Sequence, residues 1–260
     1  MILKETTLED LNRISGKIKH PNVTEDYQYC VKAYSLKIRE DYTSSVDLYK
    51  KALKINKENI EALKGISECY QSMGNYPLAI KYYNNIKLLK PFDKTVHYEL
   101  GCLEYDNKNY VQSIKHFINA IKLAPEYYDA IYALGQAHEA IQEYEMAEMI
   151  YLKIINNRPS YLLAYNRLAN MYLKINDNEK AIKYFKQILG VNPDFHRAYL
   201  GLGIAYENEN QPVKAKKYYK KYLEIKPFSA EREFIMEKLN KLRTDKTDKL
   251  KDCNYLALVK

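Results

Sequence analysis

Long apolar runs are missing from this sequence of 260 residues. No stretch approaches the roughly 20 consecutive apolar residues that a membrane-spanning helix needs, so we predict no membrane insertion. The opening residues, MILKETTLED, carry acidic side chains where a secretory signal peptide needs an apolar stretch. We therefore expect a cytoplasmic protein.

Cysteine is scarce. The four cysteines, Cys30, Cys69, Cys102 and Cys253, lie far apart and form no CxxC pair. Structural zinc sites and disulfide frameworks use more closely spaced cysteines. We predict small buried or half-buried thiols, with no metal site and no cofactor.

Catalytic motifs are also missing. The sequence has no GxxxxGK[ST], no HExxH, and no GxGxxG after a predicted strand. The five histidines are scattered, and His97 and His138 occupy places that we expect packing residues to fill. Acidic residues at 143–148 open a predicted helix, where negative charge stabilises the helix dipole. We therefore predict that the protein is not an enzyme.

Positive charge exceeds negative charge, but the excess is not concentrated. The net charge of the whole chain is +8, whereas it is +2 over residues 26–59, −3 over residues 128–161 and +4 over residues 196–229. A strong positive field favours nucleic acid or anionic surfaces as partners. Lysines spread over solvated helix faces are the simpler interpretation of this distribution.

What the sequence does contain is a repeat. Prolines recur at residues 91, 125, 159, 193 and 227, always 34 residues apart. Applied as a ruler, this interval gives six repeats: 26–59, 60–93, 94–127, 128–161, 162–195 and 196–229. A fixed period of this length is typical of repeat architectures.

Three positions of the repeat hold the same type of residue in every copy, and these residues indicate how the helices pack. The eighth place always holds a small residue: Ala33, Ser67, Gly101, Gly135, Ala169 and Gly203. The twentieth is also small throughout: Ser45, Ala79, Ser113, Ala147, Ala181 and Ala215. The twenty-fourth is always aromatic: Tyr49, Tyr83, Phe117, Tyr151, Phe185 and Tyr219. Small side chains let two helices approach closely, and an aromatic ring fills the space beside the contact.

Apolar residues within each repeat follow helical spacing, and polar breaks such as Gly74-Asn75 and Asp177-Asn178 suit a turn. The proline cannot continue a helix, so it ends the second helix of its repeat. We therefore predict an all-α fold in which each repeat is a pair of antiparallel helices.

This pattern resembles the tetratricopeptide repeat (TPR) family over residues 26–229. The last repeat matches the family best, through Tyr199, Leu202, Gly203, Tyr206, Ala215, Tyr219 and Pro227. The first repeat departs most, with Lys32 in place of leucine and Lys57 in place of proline. The resemblance implies a right-handed α-solenoid of helix-turn-helix repeats.

The segments outside the repeats are predicted separately. Residues 1–25 carry apolar side chains on one face after Thr6, a suitable N-cap, and we predict a capping helix and linker. A second capping helix is predicted over residues 230–243, followed by a flexible charged tail over residues 244–260. Whether the apolar segment 255–259 docks is left open.

The resemblance also implies a groove lined by the first helix of each repeat. Its candidate peptide-binding residues are Tyr34, Glu68, Tyr98, Glu99, Asp129, Tyr132, Gln136, Asn166, Arg167, Asn170, Lys174 and Arg197. The middle of this set is acidic with interleaved tyrosines, and its last part is basic and rich in amides. Tyrosine offers a flat apolar body with a polar tip, asparagine pairs with a peptide backbone, and arginine holds carboxylates.

From this chemistry we predict a scaffold or adaptor without catalytic activity that binds a protein or peptide partner. The acidic part of the partner would meet Arg167, Asn170, Lys174 and Arg197, and its basic part would meet Glu68, Glu99 and Asp129. Two alternatives remain open. One is a regulatory subunit of a separate enzyme. The other, and the chief alternative, is nucleic-acid binding through Lys214, Lys216, Lys217, Lys220 and Lys221, which spread around their predicted helix.

Overall fold

The computed structural model describes residues 24–242, and these residues form thirteen α-helices and no β-strand. The helices are α1 Glu25–Ile38, α2 Tyr42–Ile55, α3 Ile60–Ser72, α4 Tyr76–Leu89, α5 Lys94–Asp106, α6 Tyr110–Leu123, α7 Tyr128–Ala140, α8 Tyr144–Asn157, α9 Leu162–Lys174, α10 Asn178–Val191, α11 His196–Asn208, α12 Pro212–Ile225 and α13 Arg232–Lys241. The prediction of an all-α fold is confirmed.

The helices divide between two units. The amino-terminal unit ends at Gln142 and holds α1 to α7, and the carboxy-terminal unit begins at Glu143 and holds α8 to α13. Within each unit every helix packs against the next, and α1 also contacts α3, α5 contacts α7, and α9 contacts α11. We call the odd-numbered helices α1 to α11 the first helices, because each opens a predicted repeat. The even-numbered helices α2 to α12 are the second helices.

Small residues lie where the two helices of a pair come closest. A Cβ atom added at Gly101 of α5 would lie 2.5 Å from the ring of Phe117 on α6. A Cβ atom added at Gly203 of α11 would lie 2.4 Å from the ring of Tyr219 on α12. Such distances are too short for real carbon atoms, so the helices can pack this closely only around glycine. The predicted contact between the eighth and twenty-fourth places is confirmed in these two pairs.

A residue with left-handed backbone conformation follows the first helix of each pair. These residues lie 34 positions apart and have φ between 53° and 73°: Glu40, Gly74, Lys108, Gln142, Asn176 and Asn210. The left-handed residue turns the chain so that the next N–H can donate back into the helix, as Asn109 N does to Glu104 O at 2.8 Å. The side chain of Asp177 then caps α10 by accepting from Lys180 N at 3.1 Å.

Helices α1 to α12 fall two to each predicted repeat, with α1 beginning one residue early. The boundaries of the repeats stay predictions, as does the capping role of α13, which lies within residues 230–243. Two bonds tie α13 and the turn before it to the preceding pair. Lys238 Nζ donates to Glu207 Oε1 at 2.7 Å, and the Tyr222 hydroxyl donates to Glu231 Oε2 at 2.9 Å. The predicted amino-terminal capping helix and charged tail lie outside the described residues.

Candidate functional site

Charge is separated between the first and second helices of the amino-terminal unit. Helices α1, α3, α5 and α7 carry nine acidic residues and four lysines, whereas α2, α4 and α6 carry seven lysines and one aspartate. We call the set Glu61, Glu68, Glu99, Asp106 and Asp129 the acidic face. It belongs entirely to first helices, which are the helices that line the predicted groove.

Glu68 connects neighbouring first helices. Lys37 Nζ of α1 donates to Glu68 Oε2, and Lys64 Nζ, one turn earlier on α3, lies 3.8 Å from Glu68 Oε1. One turn later on α3, Gln71 Nε2 donates to Asp106 Oδ2 of α5 at 3.2 Å. Polar contacts therefore link α1, α3 and α5 along the acidic face, and Glu68 is half-buried among them.

Glu99 of α5 is a half-buried carboxylate. Burial raises its pKa; the charge of Lys64 opposes this rise and that of Glu68 adds to it. The cause lies in its place, the sixth of its repeat. In α3 that place is Gly65, where an added Cβ would lie 2.2 Å from the ring of Tyr49 in the preceding pair. Tyr83 is the equivalent ring for Glu99; burial raises the pKa of Tyr83, and the charge of Glu99 contributes to the rise. Glu99 therefore lies near a buried ring of the preceding pair, and its ionised form lacks full solvation.

Aromatic rings adjoin Glu99 between α5 and α7. The ring centroids of Tyr98 and Tyr127 lie 5.2 Å apart. Burial raises the pKa of Tyr127, and the charges of Asp129 and Glu99 raise it further. Lys94 Nζ lies 5.1 Å from the Tyr127 centroid. Tyrosine faces flanked by carboxylates attract cations, and a lysine of the chain already uses one of these faces.

The other predicted residues of the amino-terminal unit vary in exposure. Tyr34 is 50% exposed, and Lys37 Nζ lies 5.0 Å from its ring centroid. Asp129 is exposed, whereas Tyr132 and Gln136 on α7 are half-buried. The charges of Glu68 and Glu99 interact, and Lys37 connects the Tyr34 ring to Glu68. The Tyr98 ring interacts with Tyr127 and with the charge of Asp129.

The predicted residues of the carboxy-terminal unit lie mainly on α9. Lys174 is exposed, Arg167 and Asn170 are half-buried, and Arg197 at the start of α11 is exposed. Asn166 differs from the sequence expectation of an exposed groove residue, because it is only 8% exposed. Helix α9 contacts α11 as well as α8 and α10, and this crowding accounts for the burial.

The amide of Asn166 is incompletely satisfied. Its Oδ1 atom is buried and has no hydrogen-bond partner among the described residues. Asn170 Nδ2 donates to the backbone carbonyl of Asn166 at 2.7 Å, one turn back on the same helix, and not to the side chain. A buried acceptor without a donor is rare in native proteins and calls for an explanation.

One polar contact was not foreseen from the sequence. His97 Nδ1 on α5 lies 3.5 Å from His116 Nδ1 on α6, and His97 Nε2 lies 3.0 Å from the carbonyl oxygen of Pro91. His97 is buried, as the sequence predicts, and His116 is half-buried. The two are 19 residues apart, and only the pairing of α5 with α6 brings them together.

The ring that contacts Lys214 of the lysine-rich helix α12 is not exposed to solvent. Lys214 Nζ lies 5.1 Å from the ring centroid of Tyr206, which stacks on Tyr218 at 5.4 Å. Tyr206 is only 5% exposed, so its ring packs inside the unit. Lys221 pairs with Glu224 at 2.9 Å. The aromatic partner of Lys214 therefore packs in the core of the unit.

The thiols and the helix lengths bear on other site classes. Burial raises the pKa of Cys102 to about 12 and that of Cys30 to about 11, so both thiols stay protonated at neutral pH. Within residues 24–242, no three His, Cys, Asp or Glu side chains are grouped as metal ligands would be. None of the helices in that range has the length and apolar content to cross a bilayer.

Repeated helix pairs with small residues at their contacts define this chain as an all-α helical repeat protein. A family model described as tetratricopeptide repeat matches residues 98–161 and 166–230, and a second model of the same description matches residues 38–98. The chain belongs to the tetratricopeptide repeat family, and the resemblance seen in the sequence is confirmed.

Solved structures agree with this assignment. The crystal structure of MamA protein shares 26% sequence identity, covers 66% of this chain and 93% of its own, and has a TM-score of 0.56. A tetratricopeptide repeat protein from Parabacteroides merdae ATCC 43184 covers 91% of both chains at 18% identity and a TM-score of 0.65. YrrB, a TPR protein with an unusual peptide-binding site, covers 73% of this chain and 97% of its own at 17% identity and a TM-score of 0.53. No curated protein matches the sequence significantly.

Proposed function

We propose that the protein is a scaffold or adaptor without catalytic activity that binds segments of other proteins on its first helices. The acidic face of the amino-terminal unit is the site for a basic segment. One observation carries the proposal: Glu99 is a half-buried carboxylate with a raised pKa, beside the paired rings of Tyr98 and Tyr127. A lysine or arginine side chain of the partner would restore the missing stabilisation of the Glu99 charge.

Two further observations support binding on this face. Lys94 Nζ already lies over the Tyr127 ring, which shows that an ammonium group fits there. Glu68 and Asp106 are held by side chains of neighbouring first helices. A surface fixed in this way loses little conformational entropy on binding. Among the similar structures, YrrB is described as having a peptide-binding site.

The carboxy-terminal unit offers the complementary chemistry for an acidic segment. Arg167 and Lys174 on α9 and Arg197 on α11 are cationic, and Asn170 adds an amide. Asn166 Oδ1 is buried, and the Asn166 side chain would turn outward to accept the backbone N–H of an extended segment. These residues form a site of their own, independent of the acidic face. The partner's identity, the cytoplasmic location and the alternative of a regulatory subunit stay predictions.

The test is a binding titration of the full chain with two labelled peptides, one rich in Lys and Arg and one rich in Asp and Glu. The double variant Glu99→Gln and Asp129→Asn should weaken binding of the basic peptide by about tenfold or more, because close charge pairs contribute on the order of 1.5 kcal/mol or more. Binding of the acidic peptide should not change. The matched control is Asp47→Asn, which removes an exposed carboxylate from the second helix α2.

Two results would contradict the proposal. If the control weakens the basic peptide as much as the double variant does, binding follows total charge and the acidic face is not a site. The double variant Arg167→Glu with Arg197→Glu should show the opposite pattern. It should weaken binding of the acidic peptide and leave binding of the basic peptide unchanged. Equal loss of both peptides in that variant would refute separate sites in the two units.

A further inference from the structure

Two turns share the sequence Lys-Pro-Phe, and we call Lys90–Phe92 and Lys226–Phe228 the KPF turns. Phe92 follows α4 in the amino-terminal unit and is 85% exposed, and Phe228 follows α12 in the carboxy-terminal unit and is 97% exposed. The same place in the other four predicted repeats is polar: Glu58, Glu126, Ser160 and Asp194. A polar residue is what an exposed turn favours, so the two phenylalanines need a separate explanation.

The first KPF turn borders a cleft with cationic and apolar walls. The cleft has a volume of about 470 Å³ and is lined by residues 90–94 and by Leu123 of α6. Lys90 and Lys94 bring positive charge, and Leu123 is 40% exposed. Asp93 is the one carboxylate there, and it is occupied as the cap of α5, accepting from Thr95 N at 2.8 Å and Thr95 Oγ1 at 2.6 Å.

The second KPF turn has the same arrangement. Its cleft has a volume of about 430 Å³ and is lined by residues 226–229 together with Arg197, Leu200 and others. Glu231 is the one carboxylate in this lining, and it accepts a hydrogen bond from the Tyr222 hydroxyl at 2.9 Å. Each unit therefore sets a protruding phenylalanine beside a cleft with more cationic than anionic groups.

The second helices that lead into the KPF turns are basic as well. Helix α4 carries Lys81 and Lys87 and no acidic residue, and α12 carries five lysines and one glutamate. Leu88, in the last turn of α4, is 79% exposed. Its equivalents in the neighbouring repeats are Lys54 and Lys122, both exposed. An exposed apolar residue is thus flanked by cations in the amino-terminal unit.

We propose that the KPF turns bind the surface of an anionic phospholipid bilayer, with the headgroup phosphates at the lysines and the phenylalanine rings at the boundary with the acyl chains. Aromatic rings are favoured at that boundary, and basic residues near an anionic leaflet add affinity. A nucleic-acid backbone matches the lysines but offers no apolar phase for Phe92 and Leu88 together. The contact stays at headgroup level and uses no spanning helix.

The experiment is co-sedimentation of the full chain with phosphatidylcholine vesicles, with and without phosphatidylglycerol. The protein should bind the anionic vesicles and not the neutral ones. Phe92→Ser with Phe228→Ser should reduce the partition coefficient by roughly tenfold or more, because each variant removes a large apolar group from the membrane boundary. Lys90→Glu with Lys226→Glu should reduce it by at least fivefold per position. All four positions are exposed, so these variants should fold.

A matched control distinguishes binding by the KPF turns from nonspecific adsorption of exposed apolar side chains. Val213→Ser removes another apolar side chain of 80% exposure, at the start of α12 and outside both KPF turns. It should leave vesicle binding unchanged. Equal binding by the double phenylalanine variant and the parent would overturn the proposal. So would binding to a labelled oligonucleotide without binding to vesicles, or glycerol phosphate bound in solution as tightly as the vesicles are.

Discussion

Ser113 donates a hydrogen bond of 2.7 Å from its Oγ atom to the backbone carbonyl of Gly101, and so joins α6 to α5 at their closest approach. The same bond recurs in the other two complete pairs of the amino-terminal unit. In the first pair Ser45 Oγ of the second helix donates to the Ala33 carbonyl at 2.8 Å. In the next pair the direction is opposite, because Ser67 Oγ of the first helix donates to the Ala79 carbonyl of the second at 2.9 Å. The serine satisfies its hydroxyl in a buried contact that admits only a small side chain.

Removing this hydroxyl should weaken the amino-terminal unit. Ser113→Ala should lower the free energy of unfolding by about 1 kcal/mol, the usual net contribution of one hydrogen bond. Ser113→Leu should cost about 1–3 kcal/mol by overpacking, because Ser113 is fully buried. Urea denaturation measures both changes. Ser44→Ala, at an exposed position of α2, is the control and should change little. A leucine variant as stable as the parent would contradict the packing of this pair.

The turn residues with left-handed backbone conformation give a prediction in which a substitution raises the stability of the fold. Lys108 has φ of 63°, a conformation that costs a non-glycine residue about 1 kcal/mol or more. Lys108→Gly should therefore stabilise the unit by about 0.5 kcal/mol, after the greater flexibility of glycine in the unfolded chain is deducted. Gly74→Ala, at the equivalent turn, should destabilise it by about 1 kcal/mol. Thermal melting distinguishes the two signs.

The control for the turn prediction is Lys115→Gly. Lys115 is an exposed residue inside α6, where glycine is unfavourable by about 1 kcal/mol. The same substitution, lysine to glycine, should thus stabilise at residue 108 and destabilise at residue 115. If both variants lose stability, the left-handed conformation of Lys108 is not what the turn requires.

How much the sequence predicts depends on whether an interaction repeats. Contacts that recur every 34 residues, such as Gly101 against Phe117, are visible as a column of small or aromatic residues. The turn at Lys108 is not visible in that way, because only one of the six left-handed residues is glycine. In those turns the backbone geometry is imposed by the helix pair, and the local residue tolerates it.

The candidate site is predicted less well for the same reason. The burial of Glu99 depends on a layer of rings that belongs to the preceding helix pair, which the residue type at its own place does not reveal. The contact between His97 and His116 involves two residues that occur in one repeat only. Asn166 was expected to be exposed from its place in the repeat, but neighbouring helices enclose it. Single features of this kind require the three-dimensional packing.

The histidine pair predicts that stability depends on pH. Burial, with the nearby charges of Lys87 and His97, lowers the pKa of His116 to about 4, against 6.5 in the unfolded chain. Above pH 6.5 both states are neutral and the stability is complete. As the pH falls from 6.5 toward 4, the unfolded chain binds a proton that the folded chain does not, so stability is lost. We expect a loss of about 1–2 kcal/mol.

His116→Gln tests the origin of this dependence. Glutamine keeps a polar side chain near His97 but does not titrate. The urea midpoint of unfolding should therefore change much less between pH 6.5 and 4 in this variant than in the parent. His138→Gln on α7 is the control, since His138 is also buried but lies outside the pair. If the parent and His116→Gln show the same pH profile, other groups carry the acid sensitivity.

Asn166 links stability to binding in the carboxy-terminal unit. Its buried Oδ1 atom has no donor among the described residues, and an unsatisfied buried polar group costs about 1–3 kcal/mol. Asn166→Leu, which has a similar shape, should therefore raise the free energy of unfolding by about 1 kcal/mol. The same variant should weaken binding of the acidic peptide, because the partner's backbone N–H loses its acceptor.

Urea denaturation and peptide titration of the same variant should therefore show higher stability together with weaker binding of the acidic peptide. Gln187→Leu, at an exposed position of α10, is the control and should change neither quantity appreciably. A destabilised Asn166→Leu variant would show that Asn166 supports the fold. A stabilised variant with unchanged peptide affinity would mean that the unsatisfied oxygen does not face the partner, and the acidic segment would then bind through Arg167, Asn170, Lys174 and Arg197 without Asn166.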